Sequence, residues 1–349
     1  MRRVGYAFLI LLLIIAGGVV AAWQTGLIKV KLGAVAGTCE VDDEIAPGER
    51  GAISQAAMKF VTTSLSSHPE NAFPMMVEAA RTTTTAEKLG ETLRSVNSNW
   101  GPMNGPKVSK VYYLQPFGGG IEGRTVCGPL DNDKWVSIAQ IPGTKQAHVV
   151  VTAQSRNNSW DYTLWLVPEA DGWRVRYFHI GMSGVVGHST ADMLQMARTE
   201  RDTGHQFNAA MLYAGVQGTL DRGPMFQLGS QQAFDSDMQK FVAPPELQGN
   251  APYMWTLGGR RWKVAHVTIL GAGGKLGLLF ELPQDKWRGD DIADQSNHQF
   301  LDSFMRAHRD YSRVFGFLAA RATKPDNSGG FGTVYEAGKG YGGPSGSTH

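Results

Sequence analysis

The chain has almost no net charge and little cysteine, and both shortages exclude classes of protein. Its 349 residues contain 33 lysines and arginines against 31 aspartates and glutamates, and Arg2 and Arg3 account for the difference. The balanced remainder lacks the basic surface that nucleic-acid binding requires. Two cysteines are too few for a disulfide scaffold or a cysteine-based zinc site. We therefore expect no nucleic-acid partner.

Motifs of common enzymes and cofactor sites are also missing. No two histidines have the spacing of a helical metal-ligand pair, and no serine stands in a G-x-S-x-G turn. The glycine-rich segment 271–277 leads into strand-like residues, whereas a phosphate-binding loop leads into a helix. This segment therefore predicts a hairpin. We expect no metal and no cofactor.

A long uncharged segment follows the basic start of the chain. No ionised residue occurs between Arg3 and Lys29, and residues 4–23 are mostly apolar. A helix of that length is about 30 Å long, which matches the hydrocarbon thickness of a bilayer. Arginines before the span favour a cytoplasmic N-terminus. Residues 1–26 are therefore expected to hold the protein in the inner membrane by a single transmembrane helix, with the bulk of the chain outside the cytoplasm.

A cleaved signal peptide explains the same start. Ala21 and Ala22 are small residues that suit cleavage after Ala22, which would release a periplasmic or secreted protein. Both interpretations place the remaining chain in a compartment where disulfides persist. Cys39 and Cys127 are therefore a possible disulfide pair, and two unpaired structural thiols are the alternative.

The hydrophobic period changes along the first half of the chain. Residues 27–50 are expected to form an extended spacer. Helical periodicity follows in the segments 52–65, 71–80 and 84–100. Alternation with a period of two then predicts strands at 108–117, 124–129, 134–141, 148–154, 160–167 and 173–180. Helices followed by an antiparallel sheet predict an α+β domain over residues 51–185.

The second half contains the same kinds of segment in a less regular order. Helices are predicted at 191–220, 231–242 and 294–308, and strands at 262–270, 276–282, 313–322 and 332–335. We expect a second, diverged α+β domain at 186–336 with a helical insertion. The tail 337–349 is rich in glycine and serine, which predicts disorder.

Short sequence patterns recur in the same order in the two halves. Ala-Ala-Met at 56–58 recurs at 209–211, and Asp-Lys-Trp at 133–135 recurs at 285–287. A Lys-Val pattern beginning at residue 107 recurs at residue 263. All offsets lie between 152 and 156 residues. Because a constant period indicates a repeated unit, we expect two tandem cone-like domains, each with helices and a curved antiparallel sheet.

A family resemblance is carried by four segments of the first half. They are the helix 52–65, the segment 84–100 leading to Gly101, and the strand pair 160–167 and 172–175. With them, residues 50–183 resemble the nuclear-transport-factor-like, or cystatin-like, α+β cone. In that family, N-terminal helices lie across a curved antiparallel sheet. The layout of a basic start, one span and an exported cone is also similar to that of the inner-membrane assembly factor of type IV secretion systems. These resemblances imply a protein of the bacterial cell envelope.

The candidate functional residues lie on the last strands of the first domain. His179 with Asp161 could perform acid–base chemistry at the open end of a cone, and a hydrogen-bonded core histidine is the alternative. His179 is expected to share a strand face with Trp173, Val175 and Tyr177. Large apolar side chains occupy both faces of strand 160–167, which predicts a pocket or an interdomain contact. The residues assigned to it are Trp160, Trp165, Trp173 and Tyr177.

Two functions from different classes are compatible with these observations. Without a convergent set of catalytic residues, a non-catalytic binding or scaffold module is favoured, attached to the membrane through residues 4–23. Its partner would be another envelope protein or a small apolar ligand. The alternative is an exported enzyme that uses His179 and Asp161 in a pocket of the first cone.

Overall fold

The computed structural model describes residues 37–116, 123–129, 134–326 and 328–342. It shows an α+β protein with a curled, half-barrel sheet and several further sheets. The expected membrane span at residues 4–23 lies outside the described residues. Within the described ranges, no helix is both long and apolar enough to cross a membrane.

The first sheet contains six strands, all paired antiparallel, in the order β1-β2-β5-β6-β7-β8. These strands are β1 (Gly37–Val41), β2 (Asn104–Pro116), β5 (Gln146–Ser155), β6 (Asn158–Glu169), β7 (Gly172–Val185) and β8 (His188–Ser189). The alternating segments of the sequence therefore form the centre of the sheet. The turn at Asp171-Gly172 joins β6 to β7, and Gly172 supplies the positive φ of 122°.

Residues 37–50, within the region expected to be an extended spacer, form a strand and the start of a helix, which corrects that expectation for these residues. Gly37–Val41 form the edge strand β1, and helix α1 (Pro47–Ser64) begins with a proline, which suits the first turn of a helix. Asp42 lies between them. Its Oδ1 accepts from the backbone N–H of Val111 at 3.0 Å, and its Oδ2 accepts from the Nζ of Lys110 at 2.7 Å. These contacts hold the entry to α1 against β2.

Helix α1 covers one face of the first sheet. Ile53, Ala57, Phe60 and Val61 form its buried side. A 3₁₀ segment (Pro69–Met75), helix α2 (Glu78–Arg81) and helix α3 (Ala86–Trp100) complete this layer. The helix expected at 71–80 is divided, because Pro74 cannot supply the backbone N–H of a continuous α-helix. The core below the layer is filled by large side chains that include Phe60, Tyr162, Trp160 and Phe178.

A separate sheet covers the opposite face. It consists of β3 (Gly123–Cys127), β4 (Val136–Gln140) and β9 (Phe226–Leu228) in antiparallel pairing. The strands at 124–129 and 134–141 therefore leave the expected meander and form a second layer. The apolar side chains between the two layers are Tyr112, Leu114, Cys127, Val136, Ile138, Val150 and Phe226.

The disulfide between Cys39 and Cys127 is formed in the structure, with a Cα–Cα distance of 5.6 Å. It links the edge strand β1 to β3. Both cysteines pack in the core between the two layers, and Cys127 is fully buried. The bond therefore joins the start of the described chain to the sheet that covers the second face.

The second half forms its own core beneath helices. Helices α4 (Thr190–Asp202), α5 (Gln206–Leu220) and α6 (Gly229–Met238) precede a two-stranded ribbon of β10 (Tyr253–Leu257) and β11 (Arg260–Val264). Helix α5 contacts both β7 of the first sheet and β12 of the second. It therefore lies where the two halves meet.

The second sheet has five strands in sequence order. They are β12 (His266–Ala272), β13 (Lys275–Pro283), β14 (Phe317–Thr323), β15 (Gly330–Glu336) and β16 (Gly340–Tyr341). The strand expected at 262–270 is split at Ala265 between β11 and β12. Gly273 and Gly274, both with positive φ, form the expected hairpin turn between β12 and β13. Strand β16 corrects the expectation that all of 337–349 is disordered; residues 343–349 lie outside the described residues.

The repeated sequence patterns fall on related elements only in part. Helices α1 and α5 carry the Ala-Ala-Met pattern, and both pack against sheets. Strands β13 and β14 are parallel, with helix α7 (Asp290–Ala307) between them in sequence, whereas all pairs in the first sheet are antiparallel. The repeated Asp-Lys-Trp pattern also falls on different elements, because Trp135 directly precedes strand β4 whereas Trp287 precedes helix α7. The two sheets therefore differ in topology.

Replacing both Cys39 and Cys127 by alanine is expected to lower the free energy of unfolding by about 2–5 kcal/mol. The physical reason is that the bond restricts the unfolded chain across a separation of 88 residues. Urea unfolding of the oxidised wild type and of the double variant measures the difference. A reducing agent should lower the stability of the wild type and leave the variant unchanged. Equal stabilities of wild type and variant would contradict this role.

Candidate functional site

Strand β7 contains a bulge that changes which of its residues face the α1 layer. Trp165 pairs with Tyr177, and Leu166 pairs with Val175, so Arg176 is an extra residue in β7. One extra residue reverses the alternation of the side chains beyond it. Phe178 and the residues at alternate positions after it therefore join Val175 on the α1 side.

His179 lies on the opposite face from Trp173 and Val175 because of this bulge. The expectation of a shared face is wrong, since regular alternation in a sequence does not reveal an inserted residue. Tyr177 lies on the same side as His179. Burial raises the pKa of Tyr177 above its ordinary value, and the charge of Asp221 acts in the same direction.

The four candidate aromatic residues divide between the two faces. Trp160 and Trp173 lie on the α1 side, where the Nε1 of Trp173 donates to Glu49 Oε1 at 3.2 Å. Trp165 lies on the other side and donates from its Nε1 to Gln146 Oε1 at 3.0 Å. The guanidinium of Arg176 lies 5.2 Å from the centre of the Trp165 ring. The four side chains do not share one pocket.

His148 is enclosed between the first sheet and the β3–β4–β9 sheet. Its ring stacks on Trp165 at a centroid distance of 5.3 Å, and its Nε2 lies 3.0 Å from the carbonyl oxygen of Ala139. Burial lowers the pKa of His148 to about 3, so the ring is neutral and its Nε2–H donates this hydrogen bond. His148 is therefore a packed, uncharged histidine.

The centre of the candidate site is Arg222, which sequence analysis did not single out. Its side chain is only 4% exposed, and its Nε lies 3.2 Å from Asp161 Oδ2. Its Nη1 donates to the carbonyl oxygens of Met182, Thr219 and Asp221 at 3.1, 2.8 and 2.9 Å. Burial lowers the pKa of Arg222, and Asp161 opposes that shift.

Asp161 is occupied on both of its oxygens. Oδ2 faces Arg222, and Oδ1 accepts a hydrogen bond from Thr152 Oγ1 at 2.7 Å. The carboxylate is therefore held by an arginine from the segment after α5 and by a threonine of the neighbouring strand β5. Buried charges are tolerated where they are paired and hydrogen-bonded in this way.

His179 has a partner other than Asp161. The two residues are diagonal neighbours on one face, since Asp161 pairs with Gly181 and Thr163 pairs with His179. The Nε2 of His179 instead lies 3.3 Å from Asp221 Oδ2. Burial lowers the pKa of His179, and the charge of Asp221 opposes the shift. The structure thus brings both candidates to one face of the sheet, where Asp161 pairs with Arg222 and His179 lies beside Asp221.

The segment 221–223 lies directly on β7, with close contacts at two glycines. A Cβ atom at Gly181 would lie 2.3 Å from the carbonyl oxygen of Asp221. A Cβ atom at Gly223, which has a φ of +78°, would lie 2.8 Å from the Cβ of His179. Glycine is therefore needed on both sides of the contact. Chemically, this arrangement joins two chain segments and covers much of the His179 side chain.

An open groove of about 520 Å³ lies elsewhere on the first unit. Its lining residues are Val77, Glu78, Ala79, Thr82, Ile141, Thr144, Val167, Pro168, Glu169 and Arg176. Neither His179 nor Asp161 belongs to this lining. Within the described part of the chain, no group of three or more histidine, cysteine, aspartate or glutamate side chains is arranged to hold a metal ion.

The variant Asp161→Ala is expected to lower the free energy of unfolding by about 3–5 kcal/mol, because it leaves the buried charge of Arg222 without its partner. Adding Arg222→Met should recover part of this loss, since no uncompensated charge then remains buried. Asp171→Ala is a matched control, because it removes the carboxylate of an exposed aspartate that pairs with Arg174 and should change stability far less. Urea unfolding measures the stability of these three variants. If Asp161→Ala lowers stability no more than Asp171→Ala does, the buried ion pair does not have the assigned role.

Comparison with protein-family models, with curated proteins and with solved structures finds no match to this chain. The likeness of residues 50–183 to the cystatin-like cone and the likeness in layout to a secretion assembly factor therefore depend on the sequence pattern. The function has to be argued from the residues and their contacts.

Proposed function

We propose that this protein is an exported protein of the cell envelope, attached to the inner membrane through residues 4–23. In this proposal its two tandem units, each a cone-like combination of helices and a curved sheet, act as a binding or scaffold module for another envelope protein. The alternative is a protein that is cleaved near Ala22 and released into the periplasm or secreted.

The disulfide supports the proposed location. Disulfides persist in oxidising compartments and are rare in the cytosol, where thiols are kept reduced. The bond between Cys39 and Cys127 uses both cysteines of the chain and lies against a packed core. A protein exported after the basic and apolar N-terminal segment would form this bond on arrival.

The close contact of residues 221–223 with β7 is the main support for a binding function rather than a catalytic one. This contact covers much of His179, while Arg222 occupies the carboxylate of Asp161. On the other face of the sheet, aromatic side chains fill the space that a cone-type active site would need. The alternative enzyme would have to displace the whole segment before its His/Asp pair could meet a substrate.

The groove beside Arg176 favours a protein partner over a small apolar ligand. Pockets for small ligands are mostly apolar and enclose most of the ligand surface. This groove is open, and its apolar residues alternate with Glu78, Glu169 and Arg176. Apolar positions bordered by charges of both signs are typical of protein–protein contacts. We therefore propose the groove as the contact surface for an envelope protein.

The proposed location predicts a mature N-terminus at Met1 and a protein that stays in the membrane pellet after alkaline extraction. N-terminal sequencing of the protein purified from membranes measures the first, and immunoblotting of the extracted pellet measures the second. A sequence beginning at Trp23 would remove the anchor and establish the cleaved form. A reduced Cys39–Cys127 pair in freshly alkylated cells would contradict export.

The proposed binding surface predicts that Thr82→Arg combined with Glu169→Arg reduces recovery of a co-purifying envelope protein by about tenfold or more, because the bulk and charge would block the groove. Both residues are exposed and line the groove. Glu91→Arg, on the exposed side of α3, is the matched control and should leave recovery unchanged. Quantitative mass spectrometry after detergent solubilisation compares the three proteins. Equal recovery with all of them would refute the groove as the contact surface.

A further inference from the structure

Arg176 is the extra residue of the bulge in β7, and its side chain lines the open groove of the first unit. Bulges break the regular alternation of a strand and can re-aim a side chain beside a functional site. The guanidinium of Arg176 lies 5.2 Å from the centre of the Trp165 ring, and Trp165 itself is buried. A cation held on a buried indole has already lost part of its freedom before it binds an anion. The groove therefore contains a positive charge whose position is restricted in advance.

The Arg176 guanidinium lacks an anionic partner within the described residues, where it makes neither an ion pair nor a hydrogen bond. Arg174 on the same strand differs, because it pairs with Asp171 and donates from its Nη1 to the carbonyl oxygen of Pro74 at 3.0 Å. An unpaired guanidinium keeps the planar set of donors that binds a carboxylate through two parallel hydrogen bonds. Arg176 is therefore available to an acidic group of another molecule.

The loop 141–145 forms one wall of the groove, and Gln146 holds it in place. The Oε1 of Gln146 accepts from the backbone N–H of Ile141 at 3.1 Å, and its Nε2 donates to the carbonyl oxygens of Ile141 and Thr144 at 2.9 and 3.2 Å. The same Oε1 accepts from the Nε1 of Trp165 at 3.0 Å. One buried side chain thus attaches this wall to the indole that carries the guanidinium.

Helix α2 (Glu78–Arg81) and the residues beside it form the other wall, which is attached to β7 at the bulge. The backbone N–H of Val77 donates to the carbonyl oxygen of Val175 at 2.9 Å. Apolar lining comes from Val77 and Val167, which are buried, and from Ala79, which is exposed. Because hydrogen bonds attach both walls to the first sheet, the groove exists before a partner binds, which lowers the conformational cost of binding.

We propose that the groove binds a segment of an envelope protein that presents a carboxylate to Arg176, an inference that rests on the proposed function of this groove. The carboxylate belongs to an aspartate or glutamate side chain or to the C-terminus of the partner, and it accepts hydrogen bonds from the guanidinium. Apolar residues beside it pack against Val77 and Val167. Arg176 is then the residue that determines which segments the groove accepts.

The charges of the lining select this occupant. Glu78 and Glu169 are exposed and form no ion pair within the described chain, so the lining holds two acids and one base. A phosphate group or an anionic membrane surface would meet repulsion from both glutamates. A small apolar ligand would cover Arg176 without supplying an acceptor, which is costly. A protein segment that combines one carboxylate with neighbouring basic residues matches all three charges.

Photo-cross-linking from the groove locates the partner segment. Replacing Ala79 by benzoylphenylalanine in the full-length protein should cross-link it, in membranes of the native cells, to a segment that contains an aspartate, a glutamate or a C-terminus. Mass spectrometry of the cross-linked peptide identifies that segment. Adding Arg176→Gln should reduce the cross-link yield at least about fivefold, because a charge-assisted hydrogen bond is lost. Lys59→Gln removes one exposed positive charge of α1 and should leave the yield unchanged.

A synthetic peptide with the sequence of the cross-linked segment tests the carboxylate itself. Replacing the carboxylate by an amide should raise the dissociation constant for full-length protein in detergent at least about tenfold. In Arg176→Gln the same replacement should change the dissociation constant less than about threefold, since the partner of the carboxylate is already absent. Fluorescence anisotropy of the labelled peptides measures all four constants. The amide position that weakens binding distinguishes a side-chain carboxylate from a C-terminus.

Two failures are distinguishable. A cross-link from Ala79 no stronger than one from the same probe at Glu91 would refute the groove as a contact surface, and this inference with it. A cross-linked segment without a carboxylate, or an equal effect of the amide in wild type and in Arg176→Gln, would overturn carboxylate recognition and leave the groove as a contact surface. Thermal unfolding by circular dichroism should show that Arg176→Gln remains folded, and Arg176→Lys, which keeps the charge, should recover part of the affinity.

Discussion

The ion pair between Arg222 and Asp161 is the interaction on which the arrangement of the two halves depends. Arg222 belongs to the segment that follows α5, and Asp161 belongs to a central strand of the first sheet. Because the guanidinium also donates to three carbonyl oxygens, its position is set from several directions at once. Removing water from such a charge is expensive, so the pair tolerates little displacement. The segment around it is thereby fixed on the sheet.

This fixed segment decides what each face of the first sheet can do. Residues 221–223 cover His179, and a few residues later Phe226 begins β9, which completes the layer over His148 and Trp165. The α1 side is filled by its own aromatic core. The groove beside Arg176 is open, and the proposed function places recognition there.

Sequence periodicity predicted the helices α1 and α3 and the central strands β5, β6 and β7, because each has a long, regular apolar pattern. It could not predict the bulge at Arg176, since the bulge is a matter of pairing between strands. The division of the helix at Pro74 could have been predicted, because proline supplies no backbone N–H to an α-helix. The separation of β3 and β4 into another layer follows from tertiary packing. Arg222 was missed because a lone Asp-Arg-Gly segment has no feature that distinguishes it from an ordinary loop.

The position of the disulfide has a mechanical consequence. Tension pulling on the chain at Gly37 would act first on β1, a strand of five residues at the edge of its sheet. Edge strands peel from their neighbours one hydrogen-bonded pair after another. Here peeling stops at Cys39, two residues in, and the load passes through covalent sulfur into β3. The fold would therefore resist a pull on Gly37 by covalent bond strength rather than by hydrogen bonding.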